Sequence, residues 1–209
     1  MLNHDISIRD IYSMLRKALL ASLLIFPAPN AFSAEAILAG GCFWCIEKDF
    51  EKVKGVTNVI SGYSGGTGAN PTYKNHSKTG HREVVKVTFD ESKISYEKLL
   101  SIFWRTVDPT DAGGQFCDRG FSYTTAIYTN GSGQFEIAQK SKKEAATALG
   151  KPIATEIVAV KNFTPSEDYH QNYAKKNPIR YNFYRRTCGR DKGVKAVWGK
   201  QAYRGVAGK

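Results

Sequence analysis

Sulfur and imidazole are scarce in this chain: four cysteines, two methionines and four histidines stand among 209 residues. Four thiols in this length do not make a disulfide-stapled mini-domain, so the fold must rest on apolar burial, for which the chain is long enough. Only Cys42 and Cys45 form a close pair, whereas a structural zinc site needs two, so no bound metal is expected. The apolar run at residues 18–26 is too short to span a bilayer comfortably. Internal repeats and domain linkers are missing, which leaves one domain. Acidic residues are the minority, 19 against 30 Lys and Arg, for a net charge of +11. No nucleic-acid motif accompanies that surplus, although Arg180, Arg185, Arg186, Arg190, Lys192 and Lys195 crowd near the C-terminus. It is read as a solvated surface suited to acidic partners, and nucleic acid is not an expected ligand.

What is present begins with an address. Arg16 and Lys17 precede the apolar run, and Pro27, Pro29 and small residues follow it, the order of a secretory signal peptide. Ala31-Phe32-Ser33 suits a small-x-small cleavage site, so residues 1–33 are expected to be removed and the mature domain to span 34–209. The protein is then exported, to a periplasmic or extracellular space, with no membrane segment left. An uncleaved anchor is the alternative.

Beyond that point short apolar strands alternate with amphipathic helices. Strands are expected at 37–39, 56–64, 82–89, 123–129 and 155–160, and helices at 43–52, 96–105 and 133–149, with Ser95 as an N-cap. A short helix carrying His170 and Tyr173 follows, and the chain looks irregular from about 177. The order strand, helix, strand, strand, helix, strand is the split βαβ order. The expected fold is therefore an α+β, two-layer, ferredoxin-like sandwich with long loops at 65–80 and 108–120 and an irregular C-terminal wrap. Loops of that length inside a compact domain are usually functional.

The chemistry gathers around Gly40-Gly41-Cys42-Phe43-Trp44-Cys45, where two glycines let a strand turn sharply into a helix. A thiol there meets free N–H groups and the positive end of the helix dipole, which favour its thiolate. Tyr73, His81, Glu83, Asp118, Tyr123 and His170 fall in or beside loops. Glu83, just inside an apolar strand, is placed to have a raised pKa and to donate a proton near neutrality.

Gly41-Cys42-Phe43-Trp44, Tyr63-Ser64-Gly65-Gly66, Asn70-Pro71-Thr72-Tyr73, residues 79–85 (Thr-Gly-His-Arg-Glu-Val-Val), Asp108-Pro109-Thr110 and residues 168–173 (Asp-Tyr-His-Gln-Asn-Tyr) together closely resemble the A class of peptide methionine sulfoxide reductases. The resemblance covers residues 37–189. It implies reduction of methionine S-sulfoxide, free or in proteins, with Cys42 as nucleophile and Phe43 and Trp44 as an apolar wall for the methyl group. Glu83 is the implied acid, Tyr73 and Tyr123 its hydrogen-bonding companions, and Asp118 an active-site aspartate. A sulfenic acid on Cys42 would be resolved by a second thiol and recycled by a thioredoxin-type dithiol, with no bound cofactor, in a monomer. Cys188 is the implied resolving thiol, since the family commonly recruits one from its C-terminal segment. Cys45 and Cys117 stay open, at positions where glycine and asparagine are common. Ser122 and Thr124 also depart from the family, which usually has glutamine and arginine around the tyrosine. Two other readings are a thioredoxin-like exchange of disulfides through Cys42 and Cys45, and a cysteine hydrolase pairing Cys42 with His81 or His170.

Overall fold

The computed structural model describes residues 33–209. The expected export signal lies outside them except for Ser33. The elements run β1 (Ser33–Gly40), α1 (Phe43–Phe50), β2 (Val56–Ser64), β3 (Arg82–Asp90), α2 (Tyr96–Trp104), β4 (Gly114–Gln115), β5 (Asp118–Arg119) and β6 (Thr125–Thr129). They continue as α3 (Gly131–Leu149), β7 (Glu156–Ala159), β8 (Thr164–Pro165), α4 (Tyr173–Lys176), α5 (Pro178–Thr187) and α6 (Arg190–Trp198). One sheet has the order β7-β6-β1-β3-β2-β8. Its central strands β6-β1-β3-β2 are mutually antiparallel, which is the ferredoxin-like arrangement the element order called for. β7 extends it in parallel beside β6, and the short β8 closes the other edge.

Period-two alternation decides what each strand gives to the helical layer. Ala36 and Leu38 of β1 and Val85, Val87 and Phe89 of β3 bury against Phe43, Ile46 and Phe50 of α1 and Leu99, Leu100, Phe103 and Trp104 of α2. Ala39, Val84 and Tyr128 fall on the opposite face and form a separate cluster. Ser95 caps α2 by accepting the Lys98 N–H at 3.2 Å, and Gly150, at φ +61°, ends α3.

The C-terminal segment departs from expectation: it is helical, not irregular. Pro178 occupies the first turn of α5, where its missing N–H costs nothing, and Asn177 precedes it. The period was hidden because the segment buries charge in place of apolar residues. Arg185, in α5, lies 2.9 Å from Asp49 of α1 and 2.7 Å from Asp191 of α6, and donates to the Tyr181 and Tyr203 hydroxyls. Arg190 is 1% exposed and donates to the carbonyls of Gly40 (3.0 Å) and Thr106 (2.9 Å). Two buried guanidiniums thus pin the tail across α1 and the end of β1. Removing one partner of such a pair leaves the other charge buried and unmatched. Arg185→Ala is expected to cost about 3–5 kcal/mol in urea unfolding. The exposed neighbour makes the control: Arg186→Ala should stay within about 0.5 kcal/mol of wild type. Equal effects of the two would show that the buried network contributes nothing special.

Candidate active site

β1 ends at Gly40, and the turn that follows needs a glycine at 41. Gly41 has φ +82°, and a Cβ there would sit 2.6 Å from Cβ of Gln115. Gln115 is fully buried; its amide accepts the Asp108 N–H at 2.9 Å and donates to the Asp108 carbonyl at 2.7 Å. The loop at 108–120 is therefore braced directly on the turn that presents Cys42, and this carries Asp118 to the site.

Cys42 is the N-cap residue of α1 and is 6% exposed. The first free helix N–H, that of Phe43, is not spent on sulfur. It donates to Oε2 of Glu83 at 3.0 Å. Glu83 reaches it because β3 turns residues 83, 85, 87 and 89 toward the helices, so the carboxyl lies under the start of α1 and is only 2% exposed. Burial pushes its pKa up to about 8 against the pull of the Phe43 N–H, and the nearby Asp118 adds to the rise. Nε2 of His76 lies 3.8 Å from the other oxygen, but burial lowers the His76 pKa and keeps the imidazole neutral. Near pH 7 Glu83 is thus predominantly a neutral acid.

The same surroundings reverse the expectation for Cys42. Burial first, then the hydrogen bond with Cys45 and the neighbouring carboxyls Glu83 and Asp118, push its pKa well up, so the resting sulfur is a thiol. The helix dipole does not decide the matter, because burial and the neighbouring groups outweigh it. For Cys45, burial opposes ionisation, but the Cys42 hydrogen bond and the Arg190 and Arg185 charges outweigh it and bring its pKa down to about 7.

Cys42, Phe43, Trp44, Tyr73, Glu83, Asp118 and Tyr123 all line one small cavity of about 40 Å³. Tyr184 joins them and was missed by sequence reasoning; reading 178–187 as a helix would have put it one turn before Cys188 and flagged it. Trp44 is held from two sides: its indole N–H donates to Nδ1 of His170 at 3.1 Å, and its ring stacks on Tyr173 with centroids 3.7 Å apart. Glu167 accepts the Tyr73 N–H (3.0 Å) and the Tyr63 hydroxyl (2.9 Å), anchoring the loop at 65–81. Tyr123 closes a short 3-10 turn, Phe121–Tyr123, ahead of β6 rather than starting the strand. Its unusual flanks tie it down, since Ser122 Oγ donates to the His81 carbonyl at 2.8 Å and Thr124 Oγ1 accepts from Arg82 at 2.7 Å. Tyr184 donates its hydroxyl to Asp118, whose pKa burial raises. Burial also raises the tyrosines, Tyr73 to about 12, so their hydroxyls stay protonated as donors. Neither histidine of the hydrolase reading lines the cavity. His170 is engaged by Trp44, and His81 Nδ1 by Thr79 at 2.8 Å.

The thiols fall into two pairs. Cys188 is bonded to Cys117, at the exposed end of the 108–120 loop, and not to Cys42. Its sulfur lies 3.8 Å from Asp118 Oδ2. Cys42 and Cys45 are free and buried, and the Cys45 N–H donates to the Cys42 carbonyl at 3.1 Å.

The raised Glu83 pKa has a consequence for stability. A carboxyl whose folded pKa lies above its ordinary value near 4.5 supports the fold fully below pH 4.5, and that support is lost as pH rises through about 8. Glu47, likewise raised by burial to about 7, contributes only up to that point. Glu83→Gln keeps an acceptor for the Phe43 N–H and carries no charge. Relative to wild type it is expected to gain stability from pH 5 to about 8 and to level off above that, including the interval from 7 to 8 that Glu47 leaves flat. A pH series of chemical denaturations tests this; parallel curves for the two proteins would contradict a buried, neutral Glu83.

Comparison with known proteins bears on what this arrangement does. A family model described as peptide methionine sulfoxide reductase matches residues 34–202. Peptide methionine sulfoxide reductase MsrA 2 of Rhizobium meliloti is 51% identical over 189 residues, 90% of this chain and 96% of that protein. The MsrA of Bacillus subtilis is 46% identical over 78% of this chain and 95% of its own length. Among solved structures, reduced Mxr1 from Saccharomyces cerevisiae aligns with a TM-score of 0.67 at 31% identity, over 70% of this chain and 86% of that one. Methionine sulfoxide reductase A of Corynebacterium diphtheriae aligns at 0.66 and 29% identity, over 73% and 78%. With Cys42, Phe43, Trp44 and Glu83 lining one cavity, the chain belongs to the A-class peptide methionine sulfoxide reductases and is an enzyme that reduces methionine sulfoxide.

Proposed function

We propose that reduction proceeds by attack of the Cys42 sulfur on the sulfoxide sulfur while Glu83 delivers the proton that lets the S–O bond break. The observation that carries this assignment is the buried Glu83 carboxyl, neutral near pH 7, facing the same cavity as the Cys42 thiol. A sulfoxide oxygen departs only once protonated, and an ionised carboxylate would repel it; a neutral one hydrogen-bonds and donates. The Tyr73 and Tyr123 hydroxyls share the oxygen with Glu83, and Phe43 and Trp44 receive the methyl group by apolar and sulfur–aromatic contact, each worth roughly 0.3–1.5 kcal/mol. Oxygen, methyl group and the rest of the methionine side chain then need three different subsites, which only the S epimer satisfies. The products are methionine and a sulfenic acid on Cys42, so the sulfur oxidised by two electrons is Cys42 and the one reduced is the substrate's.

A thioredoxin-type dithiol is the proposed external reductant, and oxidised proteins or free methionine sulfoxide the substrates. The chain's workplace is proposed to lie outside the cytoplasm. The signal-like order of residues 1–33 supports this, and the family match begins at Ala34, where the expected cleavage leaves the mature chain.

Cys42→Ser is expected to abolish turnover. Glu83→Gln should slow single turnover of methionine S-sulfoxide by roughly 10²–10⁴-fold with KM nearly unchanged, because glutamine keeps the shape but has no proton to give. In wild type the same rate should fall as pH passes about 8, the value to which burial raises Glu83. Stopped-flow measurement across pH 6–9.5 checks both. A Glu83→Gln rate within a few-fold of wild type would remove Glu83 from the acid role.

A further inference from the structure

Resolution of the Cys42 sulfenic acid is the step for which the structure offers an unexpected partner. Cys188, the C-terminal thiol, is held by Cys117, whereas Cys45 lies one helical turn from Cys42 with its sulfur free and its N–H on the Cys42 carbonyl at 3.1 Å. Residues three apart at the start of a helix bring their Cα atoms within disulfide range, as in Cys-x-x-Cys redox motifs. Cys45 also has a counter-charge at its back. Arg190 is buried and, among the described residues, has no carboxylate partner; Nη2 bonds two carbonyls, while Nε and Nη1 find no acceptor among those residues. The Arg190 and Arg185 charges both favour the Cys45 thiolate. The one ion pair Arg185 makes to α1 is with Asp49, four residues on from Cys45, and its Nη1 also reaches toward the Cys45 carbonyl at 3.5 Å.

We propose that Cys45 is the thiol that resolves Cys42, and that the oxidising equivalent then passes to Cys117 and Cys188. This deepens the reading above and rests on it. In the first step the Cys45 sulfur attacks the Cys42 sulfenic acid, the Cys42–Cys45 S–S bond forms, and the S–O bond breaks to release water. In the second, a thiolate of the reduced Cys117/Cys188 pair attacks that disulfide, and the partner thiol closes Cys117–Cys188 while Cys42 and Cys45 leave as thiols. Two electrons enter the chain at the end, when an external dithiol reduces Cys117–Cys188. The burial pattern orders the two pairs. Cys42 and Cys45 are 6% and 1% exposed, closed to a protein-sized reductant, while Cys117 is exposed at the surface. Asp118, next to Cys117 in the chain, lines the Cys42 cavity and lies beside the Cys188 sulfur, so one residue spans the distance between the pairs.

The test uses the full mature chain in two redox states. Enzyme with Cys117–Cys188 already formed is given one equivalent of methionine S-sulfoxide in the presence of a 1,3-diketone that traps sulfenic acids, then quenched and peptide-mapped. The expected product is a Cys42–Cys45 linkage with under a tenth of the chains trapped. Cys45→Ser under the same conditions should carry the trap on Cys42 in most chains while still releasing one methionine. Fully reduced wild type, without the trap, should show the Cys42–Cys45 linkage first and Cys117–Cys188 as it decays. A trapped Cys42 in wild type, or a Cys42–Cys188 or Cys42–Cys117 linkage as the first product from reduced enzyme, would overturn the proposal. So would a Cys42–Cys45 disulfide that persists while Cys117 and Cys188 stay reduced. Failure to release methionine at all would fault the sulfoxide-attack reading instead, which keeps the two apart.

Discussion

One hydrogen bond organises this site: the Phe43 N–H to the buried Glu83 carboxyl. It joins the start of α1 to β3, a central strand of the sheet, and sets the Glu83 carboxyl beside Cys42. Its energetics carry the chemistry. The helix N–H stabilises the carboxylate and burial destabilises it, and burial is the stronger, so the group stays protonated to about pH 8. Burial, with Cys45 and the Glu83 and Asp118 carboxyls beside it, keeps Cys42 a thiol at rest despite its place at the helix start. Acid and thiol are thus both protonated before substrate arrives, which suits a reaction that consumes a proton at oxygen as sulfur is attacked.

The C-terminal helices serve the same constraint from behind. Arg185 neutralises Asp49 on α1, and Arg190 grips the Gly40 carbonyl at the turn into Cys42. Tyr184 from α5 holds Asp118, and Trp44 is clamped between His170 and Tyr173. Segments far apart in sequence therefore meet at a cavity whose floor is one strand-to-helix turn. Buried charge is a weak source of net stability. What it supplies here is position, since Arg185 bonds to α1 and Arg190 to the end of β1, on either side of the turn that carries Cys42.

Much of this was legible in the sequence, for identifiable reasons. The sandwich followed from the order of elements, with strands read at 56–64 and 82–89 and the apolar stripe of 96–104 between further strands. The double glycine before Cys42 announced the turn, and the family motifs brought seven residues to one cavity that no periodicity could have assembled. The C-terminal helices escaped because Arg185 and Arg190 occupy buried positions that pattern reading assigns to apolar residues. Tyr184 went with them. The Cys42 thiol was misjudged because helix position is local and visible, whereas its burial and the Glu83 and Asp118 carboxyls beside it, from distant parts of the chain, are not.

The central claim is that Glu83 stays a neutral acid in its buried place through neutral pH. Difference infrared spectroscopy of wild type against Glu83→Gln reads that protonation directly. A protonated-carboxyl C=O band should be present in wild type at pH 7, absent from the variant, and should titrate away with a midpoint near 8. A carboxylate band already present at pH 7, titrating with a midpoint near the ordinary 4.5, would contradict the account.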